Sequence, residues 1–302
     1  MKIAVEFPSI AYREGGEKVL ELASAIEELG YDEIAVFDHV VMGYPREGRT
    51  MVYPAQMPIL EALMLLSYVA AVTDRVSLGT EVLVLPQRQP VLVAKQVSTL
   101  DTLSGGRVRL GIGVGWQESE YDALGEDFGD RGQRMDEAIA LMRSYWRDEQ
   151  VDAEGAAYPQ VAMAMEPKPP QGAGLPIWIG GGSPAALRRT GRLGDGWMAT
   201  AMDDARLPEA MATIRRHAEE AGRDPAAIGM QTMLQPPPRT DADKAFYADL
   251  DSVERRVAAV AELGFDWTAV NATGIFQAGQ RSVAAMTDTL GEIHTRIRRV
   301  TA

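Results

Sequence analysis

The chain reads as an α/β protein, a single (β/α)8 barrel over residues 1–302 with loop insertions. Three observations predict this. Eight short strand-like runs, one of them (Val76 to Val84) rich in β-branched and apolar residues, alternate with eight runs of helical spacing. Several helical runs stop at a glycine, at Gly30, Gly105, Gly222 and Gly264. The third and fourth strands end in small or polar residues, Gly79-Thr80-Glu81 and the alternating Gly111, Gly113 and Gly115. Parallel strands joined by helices gather ligands at those ends, where loop amides and helix N-termini converge.

In chain order, the first strand runs from Ile3 to Phe7, and a helix from Glu17 to Leu29 leads to the second strand, Ile34 to Phe37. Leu60 to Val72 is a strongly apolar helix. Val76 to Val84 is the third strand, Pro90 to Leu103 its helix, and Val108 to Val114 the fourth strand. Gln133 to Trp146 is helical. Arg147 to Ala173 has no strong period and holds Pro159, Pro167, Pro169 and Pro170, which predicts a surface insertion. Strand Ile177 to Ile179 precedes helix Pro184 to Arg192, stopped by Gly194, and Trp197 to Thr200 precedes helix Leu207 to Ala221. Met230 to Leu234 is the seventh strand. Asp251 with Glu254 predicts a capping box for the helix reaching Leu263. Trp267 to Val270 and the helix Arg281 to Arg298 close the barrel.

Length alone weakly suggests two domains, but no linker separates them and barrels of this size are common as one unit. The Pro-rich stretch Gln235 to Arg239 is either a loop over the barrel mouth or a stiff spacer. The absence of cysteine excludes disulfides, thiolate nucleophiles and iron–sulfur ligation. A net charge of −13 argues against a nucleic-acid backbone or an anionic membrane as partner. The N-terminus MKIAVEFPSI is broken by Glu6 and is not expected to be a signal peptide, and Ala62 to Val72 is too short to span a bilayer. A soluble, cytoplasmic protein is expected.

With three histidines, a metal site is not expected. His217 and His294 lie on mixed polar helix faces and read as solvated. His39 follows Asp38 at the tip of the second strand, where an imidazole can exchange a proton with a reacting oxygen near neutral pH. It reads equally as a structural histidine, and Asp38 as an N-cap or turn residue. Gly180-Gly181-Gly182-Ser183 between a strand and Pro184 has the strand–glycine–helix order that holds a phosphate on free amides. Pro and Ser at those positions also fit an ordinary helix cap.

Four segments in barrel order carry a resemblance: ELGYDEIAVFDHV at 28–40, DRVSLGTEVLVLP at 74–86, VAKQVSTLDTLSGGRVRLGIGVGW at 93–116 and PIWIGGGSPAALRRTGRLGDGW at 176–197. The chain resembles the bacterial luciferase-like superfamily, in particular its branch dependent on the deazaflavin coenzyme F420. The resemblance implies a single luciferase-like barrel and an oxidoreductase moving a hydride between F420 and a small organic substrate. It implies that Asp38 and His39 lie beside the deazaflavin ring, and that Thr80, Glu81 and Val82 form the segment behind it. In F420-dependent members that segment bulges at a non-proline cis peptide, here between Glu81 and Val82. Val114 and Gly115 match positions that approach the cofactor, and Gly180, Gly181, Gly182 and Ser183 match the loop holding its phosphate. His39 is the implied proton-handling residue.

Members that oxidise glucose 6-phosphate carry a tryptophan where this chain has Gly43 and a glutamate where it has Trp116, so another substrate is expected. Glu118 or Glu120 supplies a displaced acid or is simply solvated, and Trp116 offers an aromatic face to a substrate. The competing readings are an FMN-dependent monooxygenase and a non-catalytic flavin-binding protein; a metal-dependent hydrolase lacks clustered ligands. The expected partner is a small-molecule substrate, and a homodimer is an assembly compatible with the family. Substrate choice is expected to rest on loops 42–57, 117–130 and 235–248.

Overall fold

The computed structural model describes residues 1–48, 52–199, 202–235, 240, 243 and 245–301. Eight parallel strands close into a barrel: β1 (Lys2–Glu6), β2 (Glu33–Val36), β3 (Ser77–Thr80), β5 (Val108–Gly113), β8 (Ile177–Gly180), β9 (Gly196–Ala199), β10 (Gly229–Met233) and β11 (Trp267–Asn271). Each pairs with the next, β11 pairs with β1, and β3 pairs with β5. The expected barrel and all eight of its strands are present.

The expected third strand, Val76 to Val84, is two pieces. β4 (Leu83–Val84) continues the pairing with β5 after Glu81 and Val82, whose peptide bond is cis as the resemblance implied. The two residues form a bulge because Glu81 donates its amide to the Val36 carbonyl (2.8 Å) while Leu83 pairs with Ile112.

The helices are α1 (Gly16–Glu28), α2 (Ala62–Ala70), α3 (Pro90–Ser104), α4 (Glu118–Leu124), α5 (Arg131–Arg147), α6 (Pro184–Leu193), α7 (Leu207–Glu220), α8 (Leu250–Glu262), α9 (Ala272–Gln277) and α10 (Val283–Thr301). The cap of α8 differs from the expected box. Asp249 takes the extended conformation and accepts from the Asp251 and Ser252 amides (3.1 and 3.2 Å), which places Asp251 inside the first turn. Asp251 and Glu254 instead both accept from Arg296. The insertion between α5 and β8 contains an antiparallel hairpin, β6 (Val151–Ala153) with β7 (Gln160–Met163). Thr200 and residues 236–239 of the Pro-rich stretch lie outside the described residues.

Strand alternation sorts the side chains. Ile3, Val5, Ile34, Leu78, Leu110, Ile112, Ile177 and Ile179 face outward into the apolar core beneath the helices. The inward positions are unusual for a barrel, whose interior is normally filled by branched aliphatics. They include Gly79, Gly111, Gly113, Gly180, Gly196 and Gly229, together with Ala4, Ala35 and Ala269. The space these small residues leave is taken by large polar and aromatic groups. A Cβ on Gly229 would lie 2.5 Å from the Trp178 ring, and one on Gly79 would lie 2.5 Å from the Glu33 carboxylate.

Arg109 occupies the centre. Its guanidinium lies over both the Trp178 and Trp267 rings (4.3 and 4.2 Å to the centroids) and donates through Nε to Glu33 (2.6 Å) and through Nη2 to Glu33 and to Gln231 Oε1 (2.6 Å). Gln231 in turn donates from Nε2 to Glu81 Oε1. The network rises from the barrel floor to the bulge.

Breaking this pair by removing one partner leaves a buried, uncompensated charge. An Arg109→Met variant is expected to lose about 3–5 kcal/mol of unfolding free energy, checked by urea denaturation.

Candidate active site

The mouth of the barrel is formed by the C-terminal strand tips, and the second tip carries the most organised polar group. His39 follows β2 with its side chain only 9 % exposed, and its Nδ1 lies 2.9 Å from Glu120 Oε2. Glu120, 1 % exposed on α4, accepts through Oε1 from the amides of Val40 (2.7 Å) and Val41 (3.3 Å). Gln117 donates from Nε2 to the Val41 carbonyl (2.9 Å), so α4 and its N-cap clamp the loop after β2 from two sides. With Oε1 committed to two donors, Oε2 is the acceptor for a proton on Nδ1. That tautomer leaves Nε2 as the ring nitrogen available to a ligand.

Glu120 is therefore not one of the solvated loop carboxylates. Its neighbour Glu118, two residues earlier and so on the other face of α4, is exposed. The helical spacing from Gln117 to Glu120, with Tyr121 also buried, is the signal that separates the two in the sequence: one face of a short helix packs inward. The rings of Tyr53 and Trp116 stand edge-on to His39, each 5.5 Å away between centroids. Trp116 is still 49 % exposed, so it offers a face to the mouth.

Asp38 is turned away from the opening. Its carboxylate takes the Val84 amide (2.9 Å) and a bidentate pair with Arg88 (2.8 Å for each bond), tying the β2 tip to the segment after β4. Thr80 is likewise occupied, donating its hydroxyl to the Gly111 carbonyl (2.6 Å). Val82 sits on the bulge over two glycines, since a Cβ on either Gly113 or Gly180 would lie 2.8 Å from its methyls. Val114 is half-buried and receives the Tyr121 hydroxyl on its carbonyl (2.6 Å). Gly115 follows with φ +65°, a left-handed turn, and a Cβ there would meet Val84 at 2.6 Å.

Across the mouth, Gly181 takes φ +119°, accepts from Trp197 Nε1 on its carbonyl (2.8 Å) and spends its amide on Met198 O (3.3 Å). Ser183 caps α6 by accepting from the Ala186 amide (3.2 Å). The Gly182 and Ser183 amides have no acceptor among the described residues. Arg189 is committed to Asp136 and to the Gly132 carbonyl (2.8 Å).

Two carboxyls reach the mouth from inside the barrel. Burial pushes Glu81 up to about 7; Arg109 draws it back down, and Glu33 opposes Arg109. Burial and the neighbouring charge of Glu81 raise Glu6 well above the usual carboxylate range. Glu6, at the tip of the first strand, was not singled out in the sequence.

The sequence profile of the luciferase-like monooxygenase family matches residues 6–245. The chain belongs to this family. An F420-dependent glucose-6-phosphate dehydrogenase 1 of Rhodococcus jostii is 32 % identical over 252 residues, covering 81 % of this chain and 72 % of that enzyme. An uncharacterized protein of Mycobacterium tuberculosis is 34 % identical over 211 residues, covering 68 % of this chain and 72 % of its own. An F420-dependent secondary alcohol dehydrogenase solved with an F420–acetone adduct superposes with a TM-score of 0.80 at 20 % identity, over 98 % of this chain and 99 % of that one. The luciferase-like fold is thereby established for this chain, as its barrel topology indicates.

The His39–Glu120 pair makes a specific forecast. In Glu120→Gln, the side-chain oxygen stays with the Val40 and Val41 amides and the new amide nitrogen faces Nδ1. The neutral imidazole should then shift its proton to Nε2, read from the ring 15N chemical shifts. Glu120→Ala leaves both amides without this acceptor and should cost about 1–3 kcal/mol in denaturant unfolding.

Proposed function

We propose that this chain is an F420-dependent oxidoreductase that moves a hydride between the deazaflavin and a small organic substrate, with His39 handling the accompanying proton. The observation that carries the reading is the His39–Glu120 pair, fixed at a strand tip and facing a mouth that also holds free helix-cap amides. Relatives named as F420-dependent dehydrogenases support the choice of cofactor.

The residues present suit such a group. Gly113 and Gly180 leave the room beside the bulge that Val82 occupies, and the Gly182 and Ser183 amides at the N-terminus of a ten-residue helix are suited to a phosphate. The deazaflavin, when bound, supplies the hydride acceptor or donor. Val82 and the bulge would back the ring from below. Glu120 fixes the His39 tautomer, so Nε2 takes the proton from a substrate hydroxyl or returns it, according to direction. Tyr53 and Trp116 wall the imidazole and exclude water from one side of it. Asp38 acts at one remove, by holding Arg88 and the segment after the bulge.

Glucose 6-phosphate is not the expected substrate. Gly43 and Trp116 replace the residues its oxidisers carry, and the acid near His39 comes from α4 instead. The second reading, an FMN-dependent monooxygenase, is favoured by the family's description, and monooxygenases share the fold.

Parallel fluorescence titrations of the purified protein with F420 and FMN test the cofactor. F420 should bind substantially more tightly; equal or reversed affinities would give way to the monooxygenase. For the proton, His39→Ala should keep much of its cofactor affinity while turnover falls by about 10²–10⁴. Turnover that stays level per folded molecule, with only the melting temperature lowered, would make His39 structural.

A further inference from the structure

The barrel interior is out of electrical balance. Among the described residues, the inward-facing charged groups above the floor are Glu6, Glu33, Glu81 and Arg109, three carboxyls to one guanidinium. Glu33 takes two of the guanidinium's bonds and a neutral amide takes a third, all from Nε and Nη2, while the buried Nη1 has no acceptor among the described residues. Arg109 acts on Glu81 only at a distance, and neither Glu6 nor Glu81 makes an ion pair with any described residue.

Both also lack hydrogen bonds where a buried carboxyl needs them. Glu81 accepts from Gln231 on Oε1, but its buried Oε2 has no partner. Glu6 is only 6 % exposed, and no described residue donates to its carboxyl. Ile3, Val5 and Phe7 point into the outer core, so alternation turns Glu6 inward. It is the last residue of β1, in register with Ala35 and Asn271, and therefore faces the mouth. The remaining titratable group beside the pair is Tyr247, whose hydroxyl accepts from the Asn271 amide (2.8 Å). It brings no positive charge.

We propose that the mouth takes an organic cation, a substrate or substrate moiety with a protonated nitrogen held by the Glu6 and Glu81 carboxyls. A cation supplies the donors that Glu6 and Glu81 Oε2 lack and a positive charge in direct contact with them, which Arg109, bonded to Glu33, does not provide. Without it, burial holds both carboxyls toward their neutral forms. When the cation enters, both ionise and release protons.

The inference rests on the mouth being the substrate site and specifies which class of substrate that site accepts. Isothermal titration of pyrrolidine and of cyclopentanone compares a protonated ring nitrogen with a neutral hydrogen-bond acceptor of the same ring size. The titrations are run on the protein with and without F420, so failure to bind F420 is recorded separately. Pyrrolidine should bind more tightly by about tenfold or more at neutral pH. Repeating it in phosphate and MOPS, whose ionisation enthalpies differ, should show net release of protons from the protein as the cation binds. Glu6→Gln and Glu81→Gln, which keep the side-chain shape, should each reduce the preference and the proton release. Equal binding of the two probes, tighter binding of cyclopentanone, or a preference unchanged in both variants would overturn the proposal. Proton release can be read on the unaltered protein, so the test survives a variant that fails to fold.

Discussion

The buried pair between Glu33 and Arg109 is the interaction on which the barrel interior is organised. The guanidinium meets a carboxylate, two aromatic rings and a further acceptor for Nη2, and β2, β8, β11 and β10 supply these in turn. Such a pair contributes little net stability compared with a well-packed apolar core, because desolvation offsets the Coulomb attraction. What it provides here is position. Four strands are referred to one side chain, and through Gln231 the reference extends to the residue just before Val82.

The glycines follow from the same constraint. Gly79 is small because the Glu33 carboxylate lies against it, and Gly229 because Trp178 does. Higher up, Gly113 and Gly180 are small because Val82 leans over them. A run of inward glycines that reads in the sequence as ligand-facing thus serves two purposes, and the lower ones are packing partners of the polar core. Only the upper set, with Gly115 and Gly181, borders the mouth.

Much of the fold was legible because helix period, strand composition and terminal glycines are local signals. The third strand was not fully legible: Val76 to Val84 is uniformly β-prone, and the break at Glu81 depends on pairing with Val36 and Ile112, far away in the chain. The α8 cap was misplaced by two residues because Asp249, Asp251 and Glu254 offer overlapping cap patterns, and tertiary pairing with Arg296 decides between them. At the site, the tip position of His39 was readable, but Glu120 was not separable from other acidic loop residues until α4 brought it within reach 81 residues later. Glu6 was read only as an interruption of an apolar strand. Alternation alone would have turned it inward, yet its importance depends on finding no cation beside it.

The axial network also has a direction. Arg109 can only donate, so Gln231 must present its oxygen downward and its nitrogen upward, and Glu81 must receive. No member can reverse by itself. A relative that replaced Gln231 with an acid would place a fourth carboxyl on the axis and remove the donor that Glu81 now uses, and one that lost Arg109 would free Gln231 to turn over. Positions 33, 81, 109 and 231 are therefore expected to vary as a set across related chains, drifting together or staying fixed together, although they are spread over three strands and the bulge and nearly two hundred residues of sequence.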